Sequence, residues 1–76
     1  MLTVYSKKGC TYCDKLVQFL HQKGLDYTKL TLGEDYTSEQ FLDKFGRGTF
    51  PRVLHDDKLI GGTRETVNYL VKNKLV

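Results

Sequence analysis

Tryptophan is absent from this chain, proline and methionine occur once each, and only two cysteines are found among its 76 residues. A small secreted fold makes up for a thin core with several disulfides. Two cysteines three positions apart close too small a loop to do that, and point to redox or metal chemistry instead. No apolar run approaches the roughly 20 residues that cross a bilayer. The opening Met1-Leu2-Thr3-Val4-Tyr5 has neither the basic nor the apolar region of a secretory leader. A cytoplasmic protein in reducing surroundings is the expectation, with no membrane partner. Excess charge is lacking too: the net value is +3, and basic residues alternate with acids, as in Lys23, Asp26, Lys29 and Asp43, Lys44. No cluster suggests a nucleic-acid groove, so nucleic acid is excluded as a partner, and a mild preference for anionic ligands is all that charge supports. Repeats, linkers and low-complexity segments are missing as well. Residues 1–76 therefore read as one domain, of a size that buries only about 60% of its unfolded surface.

What is present is an alternation of periods. Leu2-Thr3-Val4-Tyr5 is β-branched and aromatic, a first strand. After Gly9 the apolar spacing changes to three and four through Leu16, Val17 and Leu20, more loosely Tyr12 and Cys13, which predicts a helix from about Thr11 to Lys23, stopped by Gly24. Asp26 to Leu32 is a second strand. Thr37 with Gln40, or Ser38 alone, can cap a second helix with Phe41, Leu42 and Phe45 in the core. Gly46-Arg47-Gly48 stops it. Pro51 opens the strand Arg52–His55, Asp56-Asp57 turns, and Lys58-Leu59-Ile60 returns as the last strand. A final helix is expected with Thr63 as its cap and Val67, Leu70 and Val71 inward. Phe19 and the tyrosines at 27, 36 and 69 read as packing or half-buried surface. His21 and His55 show no partner and receive no role. The order is β-α-β-α-β-β-α, an α/β fold with a mixed four-stranded sheet and three helices. The first two strands, joined by a helix, should be parallel. Ligands gather beyond the carboxyl ends of such strands, where Ser6 to Cys10 lies.

That segment carries the chemistry. In Lys7-Lys8-Gly9-Cys10-Thr11-Tyr12-Cys13 a Cys-x-x-Cys follows a strand and opens a helix. The reactive form of cysteine is the thiolate, and in such a motif its pKa can fall from about 8.5 to roughly 3.5–7.5. Cys10 would sit where unpaired backbone N–H groups and the helix dipole favour an anion. Lys7 and Lys8 add positive charge, and Asp14 opposes weakly. Cys13, one turn later, should be more buried and suits a resolving thiol: Cys10 attacks a disulfide, and Cys13 displaces the mixed disulfide. Half of a zinc site is the alternative, but neither His21 nor His55 has a finger spacing, so no metal is expected. The strand, Cys-x-x-Cys and helix succession fits thioredoxin-like redox proteins.

The same segment resembles the glutaredoxin active site, usually Cys-Pro-Tyr-Cys with Lys or Arg three positions earlier. Gly46-Arg47-Gly48-Thr49-Phe50-Pro51 is similar to the family's Gly-Arg/Gln-x-Thr-Val-Pro, and Ile60-Gly61-Gly62-Thr63-Arg64-Glu65 to its Ile-Gly-Gly-x-Asp-Asp. The resemblance spans nearly the whole chain and implies a thioredoxin-like (glutaredoxin) fold. It also implies a monomer that reduces protein disulfides and glutathione mixed disulfides, with glutathione as co-substrate. Pro51 matches the family's cis-proline beside the Cys-x-x-Cys. Phe50 would offer its backbone to the cysteine part of glutathione, Lys7 and Arg47 would hold the glycine carboxylate, and Tyr12 would wall the groove. Gly62, Thr63 and Arg64 match the loop and helix start that take the γ-glutamyl carboxylate.

Four departures stand out: Thr11 for the usual Pro, Phe50 for Val, Arg52 for Gln, and Thr63-Arg64-Glu65 without the paired Asp. Two alternatives stay open. One is a dedicated electron donor to ribonucleotide reductase, a branch that usually has a Trp-Ser-Gly-Phe-Arg stretch where Gly61-Gly62-Thr63 stands here. The other is a glutathione-ligated [2Fe–2S] carrier, a role of some glutaredoxins that lack the active-site proline.

Overall fold

A computed structural model describes all residues, 1–76. Strand β1, Leu2–Ser6, alternates as a strand covered on one face must: Leu2, Val4 and Ser6 are buried, Thr3 and Tyr5 half-buried on the other side. Gly9 then takes φ 75°, a left-handed conformation that costs glycine little, and the chain enters helix α1, Thr11–Gln22. Its buried residues, Cys13, Leu16 and Leu20, recur at three and four, one stripe of a 3.6-residue helix. It ends at Gln22, one residue short of the expected end, with Lys23 as its C-cap, and Gly24 follows at φ 67°.

Strand β2, Tyr27–Thr31, lies parallel to β1, with Leu2 opposite Tyr27 and Ser6 opposite Thr31. Helix α2, Ser38–Phe45, starts at Thr37. The Gln40 N–H donates to Thr37 Oγ1 at 3.1 Å and the Thr37 N–H to Gln40 Oε1 at 2.9 Å, so both halves of the capping box form. Strands β3, Arg52–His55, and β4, Lys58–Gly61, make an antiparallel hairpin, and helix α3, Thr63–Lys72, closes the order β-α-β-α-β-β-α. In the sheet the strands run β2-β1-β3-β4, with β1 antiparallel to β3. The α/β class, the mixed four-stranded sheet and the three helices are as expected. No helix is long and apolar enough to cross a membrane.

The two faces of the sheet differ in chemistry. Leu2, Val4 and Val53 meet Leu16, Leu20 and Leu70 in an aliphatic core under α1 and α3, each buried side chain stabilising by roughly 1.5–3 kcal/mol. The opposite face is aromatic: the Tyr5 ring lies 5.1 Å from Tyr36 and 4.9 Å from Phe45 between centroids, both edge-on.

Several placements correct the sequence reading. Leu42 and Val71, expected in the core, are 50% and 58% exposed. Each follows a residue that does point inward, Phe41 or Leu70, and one step along a helix turns about 100° away. Thr66, four before Leu70, is buried instead. Tyr36, read as packing or half-buried surface, is buried. His55 does have a partner: its Nδ1 is 2.7 Å from the Tyr69 hydroxyl.

Candidate active site

The end of β1 and the start of α1 together present Cys10. It is the N-cap of α1, with extended backbone (φ −91°, ψ 104°), and its Sγ accepts the Cys13 N–H at 3.2 Å. Sulfur thus fills the role that a hydroxyl or carboxylate oxygen plays at other helix starts. Cys10 keeps 8% of its surface exposed and Cys13 none, so only the first sulfur can meet a partner. The two are joined as a disulfide, their Cα atoms 5.2 Å apart. The surrounding charge is narrower than the sequence suggests. Lys8 is engaged by Glu34 at 3.3 Å. Lys7 has no carboxylate partner, and its ammonium rests 5.2 Å from the centre of the Phe50 ring, a cation–π contact.

Beside this turn lies a cavity of about 440 Å³, lined by Tyr12 from between the cysteines, Thr49, Phe50 and Pro51, and Gly62 to Glu65 from the start of α3. The Phe50–Pro51 peptide is cis. Six residues singled out for glutathione therefore share one space: Tyr12, Phe50, Pro51, Gly62, Thr63 and Arg64. Lys7 and Arg47 do not line it. Lys7 sits over Phe50, and Arg47 borders a second groove that also has Phe50 in its lining.

The start of α3 differs from expectation. Gly62, not Thr63, is the N-cap. Thr63 is the first helical residue, and its Oγ1 donates to the Tyr12 carbonyl at 3.4 Å, which ties α3 to the cysteine turn. The Gly62 N–H donates to Glu65 Oε1 at 2.8 Å. That amide is already occupied by a carboxylate of the chain itself, and the amides of Thr63 and Arg64 remain as first-turn donors. The three-residue spacing of Gly62 and Glu65 is the legible sign of this arrangement.

One supporting contact has no counterpart in the sequence reading. The Tyr36 hydroxyl donates to the Ser6 carbonyl at 2.6 Å, and the Leu32 N–H donates to the same oxygen at 2.9 Å. Burial first, then the neighbouring Tyr5 and Asp35, pushes the Tyr36 pKa up to about 12. The two bonds fix the end of β1, four residues before Cys10. Nothing local in the sequence links positions 6 and 36.

A mixed sheet with a Cys-x-x-Cys at a strand–helix junction and a cis-proline across the cavity defines the thioredoxin-like class of dithiol proteins. Within it, the Glutaredoxin family model matches residues 2–60, and the chain belongs to the glutaredoxin family. It is 32% identical over 60 residues to Glutaredoxin 3 of Escherichia coli, covering 78% of this chain and 72% of that one. It is 37% identical over 68 residues to the hybrid peroxiredoxin hyPrx5 of Haemophilus influenzae; the match takes in 90% of this chain but only 28% of that protein. Among solved structures, a buckwheat glutaredoxin–glutathione complex superposes with a TM-score of 0.76 at 30% identity, over 97% of this chain and 71% of that one.

Proposed function

We propose that this chain is a glutathione-dependent thiol–disulfide oxidoreductase that reduces protein disulfides and glutathione mixed disulfides. The observation that carries the reading is Cys10 Sγ, the slightly exposed member of the cysteine pair, taking a backbone N–H at the first turn of α1. A sulfur held there is stabilised as a thiolate once reduced. The Cys10 thiolate attacks one sulfur of the substrate disulfide; that S–S bond breaks, and the departing thiolate takes up a proton. For a protein disulfide, the Cys13 thiolate then attacks Cys10 Sγ, releases the second substrate thiol and leaves the Cys10–Cys13 disulfide. Two electrons have passed to the substrate. One glutathione thiolate reopens the pair as a mixed disulfide on Cys10, and a second displaces it as oxidised glutathione.

Support for glutathione comes from the cavity beside the cysteines and from the likeness to a glutaredoxin solved as a glutathione complex. In this reading Tyr12, Phe50 and Pro51 hold the cysteine part, and Lys7 and Arg47 hold the glycine carboxylate. Thr63 and Arg64 amides, with Gly62, receive the γ-glutamyl end. The protein acts as a monomer in a reducing cytoplasm. The relative that is a hybrid peroxiredoxin favours a thiol peroxidase over ribonucleotide reductase as the oxidised partner.

The deciding assay is reduction of a glutathione mixed disulfide by the wild type, Cys10→Ser and Cys13→Ser. Cys10→Ser should be inactive. Cys13→Ser should keep turnover on glutathione mixed disulfides and lose protein-disulfide reduction that needs both cysteines. Reduction of the oxidised protein by thioredoxin reductase with NADPH, but not by glutathione, would reject the glutathione assignment. A coloured dimer after anaerobic reconstitution with iron and sulfide would favour the cluster-carrying alternative.

A further inference from the structure

We propose that the second groove lined by Phe50 docks the polypeptide next to the reacting cysteine of a protein substrate, taking one apolar side chain with an acidic neighbour. The inference rests on Cys10 as the nucleophile but not on glutathione. The groove has a volume of about 370 Å³ and is walled by Leu32, Phe41, Leu42 and Phe50, with Arg47 as its one charged lining residue. Phe50 also lines the cavity beside the cysteines, so the two spaces share a wall and an extended chain can occupy both.

Two features select the occupant. Leu42 is left half exposed on α2, and the Phe50 ring stacks on Phe41 at 4.6 Å between centroids. The floor is therefore rigid and aromatic, and its lip is an uncovered aliphatic side chain. Charge gives the second feature. From Lys44 to His55 the chain carries Lys44, Arg47 and Arg52 and no carboxylate; the only ion pairs of the structure are Lys8 with Glu34 and the N-terminal ammonium with Asp56. The acids of α2, Glu39 and Asp43, do not line the groove. An acidic residue flanking an apolar one meets both features. Arg47 is shared with the glycine carboxylate of glutathione, so it is the apolar wall of Leu32, Phe41 and Leu42, which the tripeptide has no side chain to fill, that separates polypeptide substrates from it.

The test uses the full chain, reduced beforehand and freed of reductant, in single-turnover reactions without glutathione. The substrates are synthetic peptides with one cysteine, oxidised to symmetric disulfides, flanked on one side or the other by Leu-Glu or, as controls, by Ser-Lys. A Leu-Glu peptide should react about tenfold faster than its control, the worth of partly burying one leucine. Leu42→Asn should abolish that preference and Leu42→Ala should reduce it, with the rate on oxidised glutathione unchanged in both. The proposal is overturned if Leu-Glu peptides show no preference, if the preference survives Leu42→Asn, or if oxidised glutathione slows in parallel. A reduced wild type that cleaves none of these disulfides defeats the catalytic reading itself.

Discussion

Replacing Tyr36 with phenylalanine removes a single oxygen from a buried position and isolates what holds the end of β1. The lost bond, from the Tyr36 hydroxyl to the Ser6 carbonyl at 2.6 Å, is short. A neutral hydrogen bond contributes about 0.5–1.5 kcal/mol net. The Ser6 carbonyl is not orphaned by the change, because the Leu32 N–H still donates to it at 2.9 Å. The ring stays and keeps its place against Tyr5 and Phe41. The expected cost is therefore ~1 kcal/mol, which in a domain of this size lowers Tm by roughly 4–8 °C. Urea unfolding of the oxidised protein should show a lower midpoint and an unchanged slope. The pH dependence supplies a second signature. The Tyr36 pKa is raised from 10.0 to about 12 in the folded state. As pH climbs past 10, the unfolded chain loses this proton while the folded chain keeps it. The stability that Tyr36 confers is complete below pH 10 and is lost as pH rises through about 12, a decline on the order of 2 kcal/mol. Tyr36→Phe should lack that part of the alkaline decline. An unaltered urea midpoint, together with an alkaline limb as steep as the wild type's, would refute the assignment.

Glu65→Gln keeps an acceptor for the Gly62 N–H and removes a negative charge from the first turn of α3. Glutathione mixed disulfides should then bind about two- to fivefold more tightly, as expected for a charge at a helix end, read as a lower KM with kcat unchanged. Lys8→Gln breaks an exposed ion pair with Glu34 and should shift unfolding by less than about 1 kcal/mol; a larger loss in urea titration would mean that the pair anchors the loop before Cys10.

The order of all seven elements was legible because each is announced by its own punctuation. Gly9 and Gly24 bracket α1, Thr37 and Gln40 open α2, and Asp56-Asp57 turns the hairpin. The cysteine pair and the segment around Pro51 carried the family resemblance, and six of the residues it implied for glutathione do line one cavity. What sequence could not supply is tertiary. Leu42 and Val71 fit a helical stripe on paper, but a short helix laid on one sheet face needs only a narrow stripe, and Phe41 and Leu70 fill it. Thr66 is polar and adds nothing to an apolar pattern, yet its place four residues before Leu70 puts it inside. Lys7 and Arg47 look equivalent as anion holders, yet Lys7 rests against the Phe50 ring and Arg47 lines a separate groove. The partnerships of Tyr36 with Ser6 and of His55 with Tyr69 join residues 30 and 14 positions apart, and no local pattern announces either.

The doubly bonded carbonyl of Ser6 has a mechanical meaning. With that oxygen pinned from the β2–α2 connection, and Cys10 pinned by the first turn of α1, only Lys7, Lys8 and Gly9 lie between two fixed points. Gain or loss of two electrons must then be absorbed within a tether three residues long. Strand β1 is anchored up to its last residue, so the freedom of the cysteine turn lies in those three residues.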